Sequence, residues 1–440
     1  MKKLLFLALV VSALLSGCTS TDGPTLPTAE GEEYSEFRTE KELLAIAEDA
    51  PGLFDEVQAR TSRKVTSGLI PVANTNARSE SEIEIYAINF EDEQGFVLVT
   101  DNRAIDGLLA YVPEGSYSNE LLDIPAFADL ISRPTIPTDS IAKPVPYPGI
   151  PNPNPGDGDD DDDDGTMKKR ITETKTTKTT LENYPRKVST KWGQGIPANL
   201  FFSNFSAGCG PVAAGQAMSY IQPPYITLSF PGKDTDKVTF DWSEIRKHIR
   251  DHDSYVYDCN ASESVHKQIA YLCREIAHRA NAQYIPFATG TTPNGIYNAL
   301  TSLFSSYCNI STPIVFSSAS ELENRLKNDV CIMFAADAYG NYSNHAFLID
   351  GYKIVKRYDV CRWRYDDDSI RQIWHILWET ETITTYYHVN WGWSNDGNGY
   401  FSSDLLNPSR PYELDNSNFS SDMSANYNKD KIFISIHKKD

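Results

Sequence analysis

Cys209 is the cysteine whose neighbours favour chemical reactivity. It follows Ser206-Ala207-Gly208 and precedes Gly210-Pro211-Val212. Proline is tolerated in the first turn of a helix, because its missing N–H would have no partner there, so the sequence predicts a helix over 209–221. The dipole and the free N–H groups at a helix start favour the thiolate, which is the nucleophilic form of cysteine. A buried, unreactive thiol is the alternative.

Two downstream segments could supply a base and an orienting group. His345 stands at the head of an apolar strand predicted over 345–352, and Asn390 is followed by Trp391-Gly392-Trp393. An imidazole can accept a thiol proton, and an amide side chain can orient the ring. His388 is a second candidate for the imidazole, since residues two apart in a strand share a face and His388 therefore points the same way as Asn390.

The order Cys, His, Asn resembles that of papain-type proteases. Four motifs in order are similar to those of the streptopain family of bacterial cysteine peptidases, and the similarity runs from about Trp192 to Pro408. The motifs are Trp192-Gly193-Gln194, Gly208-Cys209, the His345 strand and Asn390-Trp391-Gly392-Trp393. The segment Ile83–Ser118 resembles the inhibitor-like propeptide of the same enzymes.

The resemblance implies a role for each matching residue. Cys209 would be the nucleophile, His345 the general base and acid, Gln194 a donor of the oxyanion hole, Asn390 the orienter of the ring and Trp391 its shield. It places the base at the head of a strand well upstream of Asn390, and His345 fits that place better than His388. It implies no metal and no organic cofactor. Three departures bear on substrate preference. Asn344 stands where the family usually has glycine, the stretch between Gln194 and Cys209 is short, and the segment Lys353–Thr385 is longer than the family's hairpin.

The fold implied is α+β. It consists of a papain-like peptidase domain over 181–440, with a helical lobe and an antiparallel sheet lobe, preceded by a small α+β pro-domain over 31–133. In the pro-domain, apolar periodicity predicts a helix over 39–60 and strands over 82–90, 95–100 and 107–112. Between the domains, residues 134–180 are rich in proline and carry seven aspartates in Asp157–Asp164. We expect an extended linker there, with an activation site near Lys168–Arg170 or in the Thr-rich stretch that follows.

The first residues are typical of an export signal. Lys2 and Lys3 precede the apolar run Leu4–Leu15, and Leu15-Ser16-Gly17-Cys18 resembles the lipobox of bacterial lipoproteins. Residues 1–18 would then be a signal peptide, Cys18 the lipidated residue and 19–30 a tether. This predicts a bacterial cell-envelope protein held on a membrane by lipid. A plain secretory signal is the alternative.

Charge separates the two halves of the chain. The formal net charge is −20, and the first 165 residues hold 31 acidic against 11 basic side chains, whereas the rest holds 29 of each. Nucleic acid is therefore not an expected partner. The expected partners are protein or peptide substrates and the chain's own propeptide, acting as an intramolecular inhibitor.

Together these features predict an exported, lipid-anchored cysteine endopeptidase made as a zymogen. Two other hypotheses remain. One is a surface binding lipoprotein that keeps the papain-like fold without activity, although all five site positions are intact. The other is an amidase or transpeptidase acting on cell-wall peptides with the same triad, since fold alone does not decide the acyl acceptor.

Overall fold

The structure is a computed structural model. It describes residues 37–54, 63–66, 68–72, 84–103, 105–123, 127, 170–203, 206–233, 236–247, 263–285, 288–336, 343–365, 374–394, 397–406 and 431–439. The predicted signal peptide with Cys18, the tether, and the linker up to Lys169 lie outside the described residues. In the part that is described, no helix is long and apolar enough to cross a membrane.

The chain divides into Met1–Ser35 and Glu36–Asp440, and every described residue belongs to the second unit. Its helices are α1 (Glu40–Phe54), α2 (Cys209–Ile221), α3 (Trp242–Ile245), α4 (Glu263–Arg279), α5 (Pro293–Phe304), α6 (Ala319–Leu326) and α7 (Ser403–Leu406). Short 3-10 turns cover Glu91–Glu93 and Asn119–Asp123.

The strands in chain order are β1 (Ile70–Pro71), β2 (Ile85–Asn89), β3 (Phe96–Thr100), β4 (Leu108–Val112), β5 (Arg170–Tyr184), β6 (Tyr225–Thr227), β7 (Lys237–Thr239), β8 (Gln283–Ile285), β9 (Ala288–Gly290), β10 (Cys308–Ile310), β11 (Ile314–Val315), β12 (Asp329–Ala336), β13 (Ser343–Tyr365), β14 (His375–Asn390), β15 (Gly399–Ser402) and β16 (Lys431–Lys438).

One large sheet organises the unit. Its order is β1-β2-β3-β4-β15-β14-β13-β12-β16-β10, with β5 paired to β13 and β11 paired to β16. All of these pairs are antiparallel. Two small hairpins, β6-β7 and β8-β9, stand apart from it. The predicted α+β class with an antiparallel sheet is therefore confirmed.

Successive residues of β13 enter different cores, as the alternation of side chains along a strand requires. Ala346 and Leu348 join the core formed with helices α2, α4 and α5. Phe347 and Ile349 join a second core, which contains Trp391. The strand that begins near His345 is thus buried on both faces.

The predicted pro-domain continues the sheet of the rest of the chain. Strand β4 pairs with β15, where Tyr111 lies opposite Tyr400. Gly399 allows this approach, because a Cβ atom there would lie 2.3 Å from the carbonyl oxygen of Tyr111. Phe54 of α1 stacks on both tyrosines, with ring centroids 5.3 Å from Tyr111 and 4.7 Å from Tyr400. The two parts of the chain therefore share main-chain pairing and an aromatic contact.

The predicted linker extends too far toward the C-terminus, because it overlaps strand β5. Residues 170–180 were expected to be unstructured, but they form most of β5, whose pairing with β13 runs from Arg170 opposite Tyr365 to Tyr184 opposite Tyr352. The Thr-rich composition explains the difference, since β-branched residues favour strands once a partner strand is available. The long segment after Lys353 provides that partner, because β13 and β14 pair along it as a ribbon.

This pairing predicts where the chain can be cut. In a short trypsin digestion of the full chain, Lys175 and Lys178 should survive, because a protease needs an extended segment free of sheet pairing. The first cuts near this point should fall at Arg170 or before it. N-terminal sequencing of the products provides the measurement, and a major product beginning between 176 and 184 would contradict the prediction.

Candidate active site

The start of helix α2 is held by backbone geometry that glycine provides. Gly208 caps the helix with φ of 83°, in the left-handed region, and its carbonyl oxygen accepts a hydrogen bond from the N–H of Val212. A Cβ at Gly208 would lie 2.4 Å from the carbonyl oxygen of Thr289, the residue in β9 that packs here. Cys209 is therefore the first helical residue, as predicted.

The Cys209 thiol lies beside strand β13. Burial raises its pKa, and the main-chain groups of Ala346, Gly210 and Cys209 itself oppose that rise. The contribution of Ala346 locates the thiol next to the residue that follows His345. Helix α2 and strand β13 thus meet where Cys209 lies beside the residue that follows His345, and His345 is 136 positions further along the chain than Cys209.

His345 has its imidazole buried and bonded to a main-chain carbonyl. Its Nε2 lies 3.0 Å from the carbonyl oxygen of Trp391. A carbonyl only accepts, so Nε2 carries the hydrogen, and in the neutral ring Nδ1 is the basic nitrogen. Burial lowers the pKa of His345 to about 4, against the smaller opposite effect of the Trp391 hydrogen bond. At neutral pH the ring is therefore uncharged and can accept a proton.

The pKa shifts of Cys209 and His345 act on the charge of each side chain. A raised thiol pKa keeps Cys209 protonated at neutral pH, and a lowered imidazole pKa keeps His345 neutral. Both shifts have burial as their main cause, because a low-dielectric environment disfavours either charged form. Burial thus disfavours the charged form of each group taken by itself.

Asn390 holds main-chain groups. Its Nδ2 donates to the carbonyl oxygen of Thr190 at 2.7 Å, and its Oδ1 accepts the N–H of Gly392 at 3.1 Å. The hydrogen-bond acceptor that orients His345 here is the carbonyl of Trp391, the next residue. The predicted role of Asn390 as the orienter stays a prediction.

Trp391 is fully buried in the core on the far face of the sheet. Its indole Nε1 donates to the carbonyl oxygen of Gly397 at 3.1 Å, and its ring packs against Phe347 with centroids 4.8 Å apart. Trp393 also contributes to the surroundings of the base, since its ring centroid is 6.2 Å from that of His345. A role for Trp393 in the site was not predicted from the sequence.

Gln194 is held close to the helix start through its main chain. Its carbonyl oxygen accepts the N–H of Ala207 at 3.1 Å, two residues before Cys209. The residue is half-buried. This bond brings the predicted oxyanion-hole residue and the nucleophile into one neighbourhood.

His388 has a different partner. Its Nδ1 lies 2.6 Å from Oδ1 of Asp350, and both side chains are buried. Its ring makes an edge contact with Tyr400 at 5.1 Å. This pairing favours His345, and not His388, as the base of the site.

The other described cysteines are buried structural residues. Burial raises the pKa of Cys273, and that of Cys308 rises to about 12. No disulfide joins any of the five cysteines that the structure describes. Within the described ranges, no group of three or more His, Cys, Asp or Glu side chains could hold a metal ion.

Two buried side chains near the site were missed by the sequence analysis. Asp350 lies 2.6 Å from His388, and Gln216 on helix α2 donates to the carbonyl oxygen of Trp192. The signal for Asp350 was a charged residue inside an apolar run, and that for Gln216 was an amide in an Ala-rich helix. Neither feature of the sequence indicates which residue the side chain binds, because His388 and Trp192 are distant from these positions in sequence.

Comparison with known proteins agrees with this geometry. Residues 191–401 match the Peptidase C10 family. The match covers the helix of Cys209, the strand of His345 and the Asn390–Trp393 segment, and it supports a cysteine peptidase of this family in that part of the chain.

Two solved structures are also similar to the chain. One is a fragment of prointerpain A from Prevotella intermedia, with 15% identity, a TM-score of 0.44, and coverage of 83% of this chain and 97% of that chain. The other is active interpain A, a cysteine protease of the same organism, with 17% identity, a TM-score of 0.34, and coverage of 58% and 95%. A search of curated proteins found no match.

The geometry predicts a graded series of variants. His345→Ala should lower kcat by about 10³-fold or more, because the general base and acid is lost. Asn390→Ala should lower it less, since the Trp391 carbonyl that contacts the ring remains. His388→Ala should leave the most activity, because that ring contacts Asp350. Steady-state kinetics on a peptide substrate decide the order, and an inactive His388→Ala beside an active His345→Ala would reverse the assignment.

Proposed function

We propose that this chain is a streptopain-type cysteine endopeptidase that is made as a zymogen. The observation that carries the proposal is the position of the Cys209 thiol, at a helix start and beside the main chain that follows His345. The match of residues 191–401 to the Peptidase C10 family supports the same chemistry.

In the proposed reaction, Nδ1 of His345 accepts the thiol proton while sulfur attacks the carbonyl carbon of the scissile peptide bond. The carbonyl oxygen becomes an oxyanion, which the N–H of Cys209 and the side-chain amide of Gln194 stabilise. Collapse breaks the C–N bond, His345 gives its proton to the leaving amine, and a thioester to Cys209 remains. Water, deprotonated by His345, then releases the acid product and restores the thiol.

Latency is supported by contacts between the predicted pro-domain and the rest of the chain. Asp106 is buried and accepts hydrogen bonds from the hydroxyls of Thr384 and Tyr386, at 3.1 and 3.0 Å. Nη1 of Arg357 lies 3.4 Å from the same carboxylate. Burial alone would raise the pKa of Asp106, but the charges of Arg357, Arg38 and Lys178 and the N–H of Leu108 together outweigh it, so the pKa falls and the carboxylate stays charged.

A second group of contacts lies closer to the site. Lys191, three residues before Gln194, pairs with Glu114 at 2.5 Å. Phe127 contacts the ring of Trp391, whose carbonyl accepts from His345. Export and lipid attachment at Cys18 belong to the proposal and are supported by the motif Leu15–Cys18.

A cell-wall amidase or transpeptidase would use the same acyl-enzyme, and a papain-like binding lipoprotein would have no turnover. Casein hydrolysis by the chain, with and without a thiol-reactive epoxide, separates these functions. We expect the processed chain to degrade casein, the epoxide to block this and to label Cys209, and Cys209→Ser to be folded and inactive. Labelling without loss of casein would favour the amidase, and neither labelling nor hydrolysis would favour the binding protein.

Removal of the Asp106 carboxylate should weaken latency. Asp106→Ala leaves Arg357 with one fewer buried counter-charge, a change that typically costs about 3–5 kcal/mol. We expect the uncleaved precursor of this variant to hydrolyse casein measurably faster than the parent precursor. Asp49→Ala is the matched control, because Asp49 pairs with Lys178 at 3.6 Å from an exposed position and should change little. Equal activity of the parent and Asp106→Ala precursors would contradict this role.

A further inference from the structure

Residues 185–194, here called the arm, connect β5 to the predicted oxyanion-hole residue Gln194. The arm contains no strand or helix. Side chains from other elements bind its main chain at intervals. Because a segment without ladder hydrogen bonds takes its position from such contacts, these side chains, together with the Ala207 N–H that binds the Gln194 carbonyl, hold Gln194 in place.

From Val188 onward, the contacts fall on alternating residues as the arm approaches Gln194. The carboxylate of Asp350 accepts the N–H of Val188 at 2.6 Å, and also that of Lys187 at 3.0 Å. Asn390 donates to the carbonyl of Thr190 at 2.7 Å. The last side-chain contact before Gln194 is made at Trp192.

That last contact comes from Gln216. Its Nε2 donates to the carbonyl oxygen of Trp192 at 2.7 Å, and the side chain is fully buried. The carbonyl can only accept, so the NH₂ end of the amide must face it. The close packing includes the preceding residue, since a Cβ at Gly215 would lie 2.9 Å from the Trp192 ring.

Gln216 lies on helix α2, seven residues after Cys209 and on the same rigid element. Its bond therefore connects the helix that carries the nucleophile to a point two residues before Gln194. An oxyanion hole needs both donors within hydrogen-bonding distance of one oxygen, and one donor is the N–H of Cys209 while the other lies on the arm. The distance between the helix and the arm sets the separation of these donors. The main-chain bond from Ala207 to Gln194 and the side-chain bond from Gln216 to Trp192 both span that distance.

We propose that Gln216 is a positioning residue, which holds Gln194 at the distance from Cys209 that the oxyanion hole requires. This inference rests on the proposed peptidase function. Gln216 does not touch substrate. Without it, the buried Trp192 carbonyl loses its donor and the arm can shift, and misplacement by about 1 Å can cost on the order of 10²-fold in rate.

The test uses the full chain, processed to completion, with Gln216→Met and Gln216→Glu. Methionine keeps the length of the side chain and removes the donor. We expect kcat on a peptide substrate to fall by about tenfold to a hundredfold, with KM unchanged. Alkylation of Cys209 by iodoacetamide should keep its rate, because displacement at an sp³ carbon forms no oxyanion.

Gln216→Glu provides a second measurement. A buried neutral carboxylic acid can donate to the Trp192 carbonyl, whereas a carboxylate cannot. The kcat of this variant, relative to the parent, should therefore decrease as pH rises through the ionisation of the new carboxyl. Gln268→Met is the matched control, since Gln268 also binds main chain, at Asp241, but on helix α4. Its kcat should equal that of the parent.

A double variant decides between positioning and general destabilisation. If Gln216 acts through Gln194, then Gln194→Ala with Gln216→Met should be no slower than Gln194→Ala alone. Multiplied losses, or a parallel fall in the alkylation rate, would overturn the inference. A parent that is alkylated at Cys209 but cleaves no peptide would overturn the proposed function, and the positioning role with it.

Discussion

The packing of helix α2 against strand β13 is the contact on which the site depends. It brings the Cys209 thiol beside Ala346, and it requires glycine at 208, where the backbone has positive φ and the chain passes Thr289 closely. The helix is almost entirely buried, and its alanines share a core with Ala346 and Leu348. A larger residue on either surface would move the nucleophile away from the strand that carries the base.

Burial then determines the charge state of the reacting pair. The same low-dielectric surroundings raise the pKa of Cys209 and lower that of His345, so the uncharged forms dominate at neutral pH. Attack on a peptide bond needs the thiolate. Forming the thiolate costs less free energy where water or substrate dipoles can stabilise its charge.

The large sheet connects this site to the pro-domain. Strand β4 extends the sheet at β15, and β15 is two strands away from β13. The contact combines main-chain pairing with a stack of aromatic rings and a charged carboxylate, Asp106, that is buried among its donors. Non-polar contacts supply most of the free energy of such an interface, whereas a buried charge penalises any other arrangement.

Local signals in the sequence determined several elements of the fold. The helix Cys209–Ile221 was predicted with the bounds it has, because glycine and proline at its start and Gln222-Pro223-Pro224 at its end act within a few residues. The strands of the pro-domain followed from their apolar alternation. In contrast, β5 was missed, since its Thr-rich sequence has strand propensity but no apolar face, and only pairing with β13 makes it a strand.

The residues of the candidate site were named from the sequence, whereas their contacts were decided by the tertiary structure. Cys209, His345, Gln194 and Asn390 were all named from motifs. The pairing register of β13 and β14 sets Asn390 opposite Leu348 and His388 opposite Gly351, beside Asp350. That register places His388 beside the carboxylate of Asp350. Trp391 follows directly after β14, which brings its carbonyl oxygen to the ring of His345. Such contacts join residues far apart in sequence, and their geometry depends on how strands and helices pack, which no local pattern specifies.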